Sequence, residues 1–66
     1  MTPTQQELYT HIKKHSGLMY SELFEDIGHP QGLGALEMID EIELLIKKGL
    51  VKRDEFRHMP PVVRAA

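Results

Sequence analysis

Ile42-Glu43-Leu44-Leu45-Ile46-Lys47-Lys48-Gly49-Leu50-Val51-Lys52-Arg53 decides how this chain folds. Ile42, Leu45 and Ile46 recur at the three- and four-residue spacing of a helix face. Lys47 and Lys48 then suit the negative end of the helix dipole, and Gly49 can take the left-handed conformation that ends a helix. Leu50-Val51-Lys52-Arg53 follows as a strand. A helix is thus handed, through one glycine, to a basic strand.

Upstream of that junction the helix extends back to about residue 34. Leu36, Met38, Ile39, Ile42, Leu45 and Ile46 fall on roughly half of its wheel. Glu37, Asp40, Glu41, Lys47 and Lys48 fall on the other half, with Leu44 as an exposed apolar residue among them. His29-Pro30-Gln31-Gly32-Leu33-Gly34 precedes this helix as a turn. Before the turn, Ser21 is the expected N-cap of a short helix over 21–27, with Glu22 in its first turn, an apolar stripe of Leu23, Phe24 and Ile27, and Gly28 as its stop. Leu18-Met19-Tyr20 is too brief for a helix and reads as strand. Thr4-Gln5-Gln6-Glu7 has the form of a capping box, which predicts a first helix over 4–15, with Leu8 and Ile12 inward and Ser16-Gly17 at its end.

Downstream, Val62-Val63-Arg64 reads as a strand returning along the first, closing a hairpin over 50–64. Pro60 and Pro61 lack the N–H a ladder needs and are expected at an edge or turn.

With 66 residues, the chain is expected to form one small domain spanning 1–66. There is no cysteine, so neither disulfides nor thiolate zinc sites contribute. That absence fits a reducing, cytoplasmic setting. No apolar run reaches the length of a membrane span, so no membrane association is expected.

The net charge of −2 hides a strong segregation. Residues 1–14 carry +1, residues 15–46 carry −7 with no Lys or Arg, and residues 47–66 carry +4. The middle of the chain is acidic and its last third basic.

This order of helix, short strand, short helix, turn, longer helix and basic hairpin resembles the winged helix-turn-helix DNA-binding domain superfamily, of bacterial and phage regulator type. The resemblance covers nearly the whole chain and is most specific over 42–53, where the recognition helix meets the wing. Thr4 to Leu8 is similar to the start of the family's first helix, and Ser21-Glu22-Leu23 with Ile27-Gly28 to its second. The implied fold class is α+β: a small winged helix-turn-helix of three helices with a short two- or three-stranded antiparallel wing.

The resemblance also implies a transcriptional regulator that binds double-stranded DNA as a homodimer, with the third helix in the major groove and the wing on the backbone. Carried onto this sequence, Gln31, Gly32, Gly34 and Glu37 stand where bases are read, Gln31 matching adenine and Glu37 cytosine. Ser21 stands at a phosphate position. Lys47, Lys48, Arg53, Arg57, His58 and Arg64 supply the basic contacts of helix end and wing. The acidic outer face departs from the family pattern, because carboxylates repel the phosphates flanking a groove. The alternative is a protein-interaction module whose face of Glu37, Asp40, Glu41 and Leu44 docks on a basic protein.

Other chemistries fit the residues less well. Glu7, His11 and His15 share one helical stripe, but a closed metal site needs four defined ligands, so no metal is expected. Ser16 and Ser21 are explained by helix ends, and no nucleophile elbow is present, so neither an enzyme nor a cofactor is expected. Gly32-x-Gly34 lacks the preceding strand and third glycine of a dinucleotide cradle.

Overall fold

In the computed structural model, residues 1–15 and 17–66 are described. They form three helical segments and a three-stranded antiparallel sheet, an α+β architecture. Helix α1 spans Pro3–Lys13, strand β1 Leu18–Met19, helix α2 Tyr20–Leu23 and helix α3 Ala35–Lys47. Strands β2 (Val51–Phe56) and β3 (Met59–Ala65) form the hairpin. The sheet order is β1-β3-β2, so β3 is central.

The N-cap of α1 lies two residues earlier than its sequence suggests. Thr2, not Thr4, is the N-cap: the Gln5 backbone N–H donates to Thr2 Oγ1, and the Thr2 N–H to Gln5 Oε1, each at 3.2 Å. Thr-Pro-Thr-Gln-Gln-Glu offers two overlapping capping boxes, and Pro3 at the first helical position selects the earlier one because its φ is already helical. The helix ends at Lys13 with Lys14 as C-cap, short of residue 15. Ser16, expected at this helix end, lies outside the described residues.

Helix α2 also departs from expectation at both ends. Its N-cap is Met19, with Ser21 already inside the first turn. The Met19 N–H donates to the Glu22 carboxylate at 3.0 Å, so Glu22 caps the helix that Ser21 was expected to cap. Gly28 does not end the helix. The chain widens into a π-turn over Phe24–Gly28, closed by the His29 N–H on the Phe24 carbonyl at 2.7 Å. The stop is Gly32, at φ 73°, where Gly32 and Leu33 donate to the His29 and Gly28 carbonyls at 3.0 and 2.9 Å. That is the paired closure of a Schellman motif. Gly28 serves packing instead: a Cβ there would lie 3.0 Å from Phe24 Cδ1 and 3.2 Å from Met38 Sδ.

Helix α3 ends as its sequence requires. Gly49 takes φ 77°, and Gly49 and Leu50 donate back to the Ile46 and Leu45 carbonyls at 3.0 and 3.1 Å. Its inner face is Met38, Ile42 and Leu45, packed with Leu8 and Ile12 of α1, Leu18, Leu23, Val51 and Val63 into one core. Leu36 is not part of that face. It lies across the helix from Met38, Ile42 and Leu45 and is 77% exposed. Its place at the rim of the apolar arc made it ambiguous, and the neighbours of α3 (α1, β2 and the π-turn) cover the opposite side.

Pro60 and Pro61 stand inside β3, in the stretch that pairs with β2 alone, because β1 reaches only Val62 and Val63. Asp54 pairs with Val62 and Phe56 with Met59, so the two prolines oppose the single residue Glu55. This irregularity leaves residues that need not donate to the ladder, which is where a strand tolerates proline. The hairpin closes through Arg57-His58, of which only His58 (φ 66°) has positive φ. A type I′ turn needs positive φ at both central residues, so this turn is of another kind. Left-handed backbone disfavours a β-carbon, so His58→Gly should raise stability by up to about 1 kcal/mol. Urea unfolding checks this, and an unchanged or lowered midpoint contradicts it. No described helix is long and apolar enough to cross a membrane.

Candidate nucleic-acid interface

The hairpin gives the site its cations. Strand β1 pairs only with Val62 and Val63, so the end of the hairpin from Phe56 to Met59 projects beyond the sheet. Its tip is Arg57-His58, both exposed, flanked by the cross-strand pair Phe56 and Met59, which are 51% and 64% exposed. Lys52 is exposed on β2, and Lys47 is exposed at the end of α3. Among the described residues Lys47, Lys52 and Arg57 enter no ion pair.

The other expected cations are engaged. Arg53 reaches Glu43 Oε1 on α3 at 2.6 Å and Glu55 Oε1 at 3.4 Å. Tyr20 Oη is buried and has no hydrogen-bond partner among the described residues. The Tyr20 hydroxyl and the Glu43 carboxylate together hold the Arg53 guanidinium above its ordinary pKa. Arg64 pairs with Asp54 across the hairpin, and Lys48 Nζ donates to Gln5 Oε1 at 3.4 Å. Of the six basic contacts expected, the structure brings Arg57 and His58 together at the tip and commits Arg53, Arg64 and Lys48 to neighbours within the chain.

The expected base-reading residues lie before and within the first turn of α3. Gln31 is exposed, but its amide is held against α1: Thr4 Oγ1 donates to Gln31 Oε1 at 3.1 Å, and Gln31 Nε2 donates to the Glu7 carboxylate. Glu37 turns back on its own helix, accepting from the Gly34 N–H at 3.2 Å. Gly34 is thus the N-cap and Glu37 half of its capping arrangement. Gly32 is fixed in the left-handed turn that ends the preceding helix. Ser21 is exposed in the first turn of α2.

The outer face of α3 carries Leu36, Asp40 and Leu44 along one row, at four-residue intervals. Leu44 is 41% exposed, as its wheel position predicts. Asp40 is exposed and makes no ion pair among the described residues. Glu41 is half-buried, and its Oε2 has no hydrogen-bond partner among the described residues. Sequence reading missed Leu36 and Phe56 as surface features. The signal for Phe56 was its place beside the two-residue turn, which removes it from the core.

On the Glu7 stripe, His11 Nε2 lies 3.0 Å from Asp26 Oδ2, and the His11 and His15 rings are 4.7 Å apart. No group of three metal-binding side chains occurs among the described residues. Neither the scan of protein-family models nor the search of curated proteins returned a match for this chain.

Proposed function

We propose that this chain is a small winged helix-turn-helix protein that binds double-stranded DNA and regulates transcription in the cytoplasm. The observation that carries this reading is the projecting hairpin tip. Arg57, with Lys52 behind it, offers cations that no carboxylate of the described chain neutralises, and His58 adds an exposed ring beside Arg57. Such cations bind phosphates by releasing counterions, without regard to sequence. The first turn of α3, with the Gly32–Gly34 loop, enters the major groove beside them. Gln31 reads adenine there after exchanging Thr4 and Glu7 for the base edge, and Glu37 exchanges the Gly34 N–H for cytosine. Two copies on paired half-sites supply the length of sequence that one short helix does not.

Charge arithmetic makes this testable. Lys52→Ala and Arg57→Ala should each weaken binding to every duplex and lower the slope of log K against log salt by about 1. Gln31→Ala should instead alter sequence preference. Fluorescence anisotropy over a salt series separates the two. Unchanged salt slopes in both hairpin variants remove the hairpin from the interface.

A second reading is favoured by the row of Leu36, Asp40 and Leu44. An apolar pair with a charged border is the composition of a protein-docking face. Under this reading the face of Glu37, Asp40, Glu41 and Leu44 binds a protein. The double variant Leu44→Ala/Glu41→Lys then abolishes partner binding while leaving the far-UV spectrum unchanged.

A further inference from the structure

Four charges surround Leu44 symmetrically. Glu41 and Lys47 lie three residues before and after it, and Asp40 and Lys48 lie four before and after. On a helix surface those spacings are the immediate neighbours of the central residue. The acidic pair precedes Leu44 and the basic pair follows it, so the face has a sign that reverses along the helix. A uniformly basic partner would gain from Asp40 and Glu41 and be repelled by Lys47 and Lys48. A second α3 laid antiparallel over the first meets opposite charge at all four positions.

We propose that α3 pairs with α3 of a second copy of this chain, antiparallel, about a two-fold axis at Leu44. This rests on the docking reading of the α3 face and names its occupant. Leu44 meets Leu44, each Glu41 faces the other copy's Lys47, and each Asp40 faces the other copy's Lys48. Every contact is made twice, as an isologous interface requires. Asp40, Glu41 and Lys47 enter no ion pair within the described chain, and Lys48 holds only the 3.4 Å contact to Gln5 Oε1. The surface is therefore charged and complementary to itself: Asp40, Lys47 and Lys48 are exposed, and the half-buried Glu41 turns outward to pair.

Two consequences follow. A helix of 13 residues is roughly 20 Å long. One such crossing buries less than the ~1,200 Å² of a standard stable interface, so association is weak and concentration-dependent. The paired face is also the one that would enter a groove, so the α3-paired form is free of DNA at α3. Duplex DNA and self-association then compete.

Sedimentation equilibrium at low and high salt, over a wide concentration range, tests the pairing through a charge exchange. Glu41→Lys and Lys47→Glu should each weaken self-association at least about tenfold, because each sets like charges opposite one another twice. Their equimolar mixture should associate again, since every pair is then restored between unlike copies. Leu44→Asp should abolish association in either salt. Asp40→Lys and Lys48→Asp, both at exposed positions, form a second exchange set should Glu41→Lys fail to fold, with circular dichroism reporting the fold of each variant. A dimer indifferent to both exchanges overturns the α3 interface. A chain that stays monomeric to millimolar concentration overturns the second copy as occupant. Titration with an octalysine peptide, followed by amide chemical shifts, then separates that failure from failure of the docking reading. Shifts along Leu36, Asp40 and Leu44 keep a basic partner, and none remove docking altogether.

Discussion

Ile42→Ala should leave the domain largely unfolded at ambient temperature. Ile42 is fully buried at the centre of α3, between α1 on one side and the sheet on the other. Truncating a buried isoleucine to alanine costs about 2–5 kcal/mol, through lost apolar burial and the cavity left behind. A core in a chain this short supplies no more than about 3–5 kcal/mol in total. The loss is therefore comparable with the whole stability, and no disulfide exists to restrain the unfolded chain. Leu36→Ala, on the same helix but in solvent, should change stability by less than about 0.5 kcal/mol. Thermal unfolding by circular dichroism reads both. A cooperative transition for Ile42→Ala within a few degrees of the parent would contradict the assignment of the core.

The second large effect falls on a glycine. Gly28→Val should destabilise the domain by about 1–3 kcal/mol. Gly28 is buried where the π-turn meets α3, and its missing side chain lets Phe24 and Met38 close over it. Alanine there brings a helix-propensity gain of about 1 kcal/mol against contacts of 3.0 and 3.2 Å. Met38 is flexible enough to absorb part of that crowding, so Gly28→Ala should cost less than Gly28→Val. Two further carbons on a β-branched side chain have no such relief. Urea midpoints should fall in the order parent, alanine, valine. A valine variant as stable as the parent would show that the close approach of the π-turn to α3 does not need this glycine.

Both effects show what could be read from the residues and what could not. The α3–β2 junction was legible because several local signals agree over 42–53: apolar periodicity, lysines at the helix end, a glycine with one function, then strand-forming residues. The inner face of Met38, Ile42 and Leu45 follows from the same periodicity. Leu36 was misread because periodicity gives an apolar arc but not where the covering elements stop. Gly28 was read as the helix stop and Gly32 as part of the turn after it, and the structure gives the stop to Gly32. Only the tertiary contact with Met38 shows that Gly28 is needed for space and Gly32 for its backbone angle. Thr2 and Thr4 posed an ambiguity of their own, settled by Pro3. The prolines of β3 were legible as residues that cannot donate, but the irregularity that accommodates them within a strand is a property of two paired strands and was not.

The candidate site was legible in its charges and not in their engagement. Segregation of acidic and basic residues is visible in the chain itself, and the fold gathers the basic part on a hairpin. Which cations remain free is a matter of three-dimensional neighbours. Arg53 reaches Glu43, ten residues earlier, and Arg64 reaches Asp54, ten residues earlier. Gln31 is held by Thr4 and Glu7, 27 and 24 residues away. Engagements at such separations leave no pattern in a single sequence.

The most direct test of the proposed function is an amide NMR titration of the isotope-labelled chain with a mixed-sequence duplex at low and high salt. Binding as proposed should give shifts at residues 31–37 and 52–58 that grow with added duplex and shrink as salt rises. Shifts confined to 52–58 would keep the hairpin on the backbone and remove α3 from the groove. No shifts at low salt would contradict DNA binding by this protein.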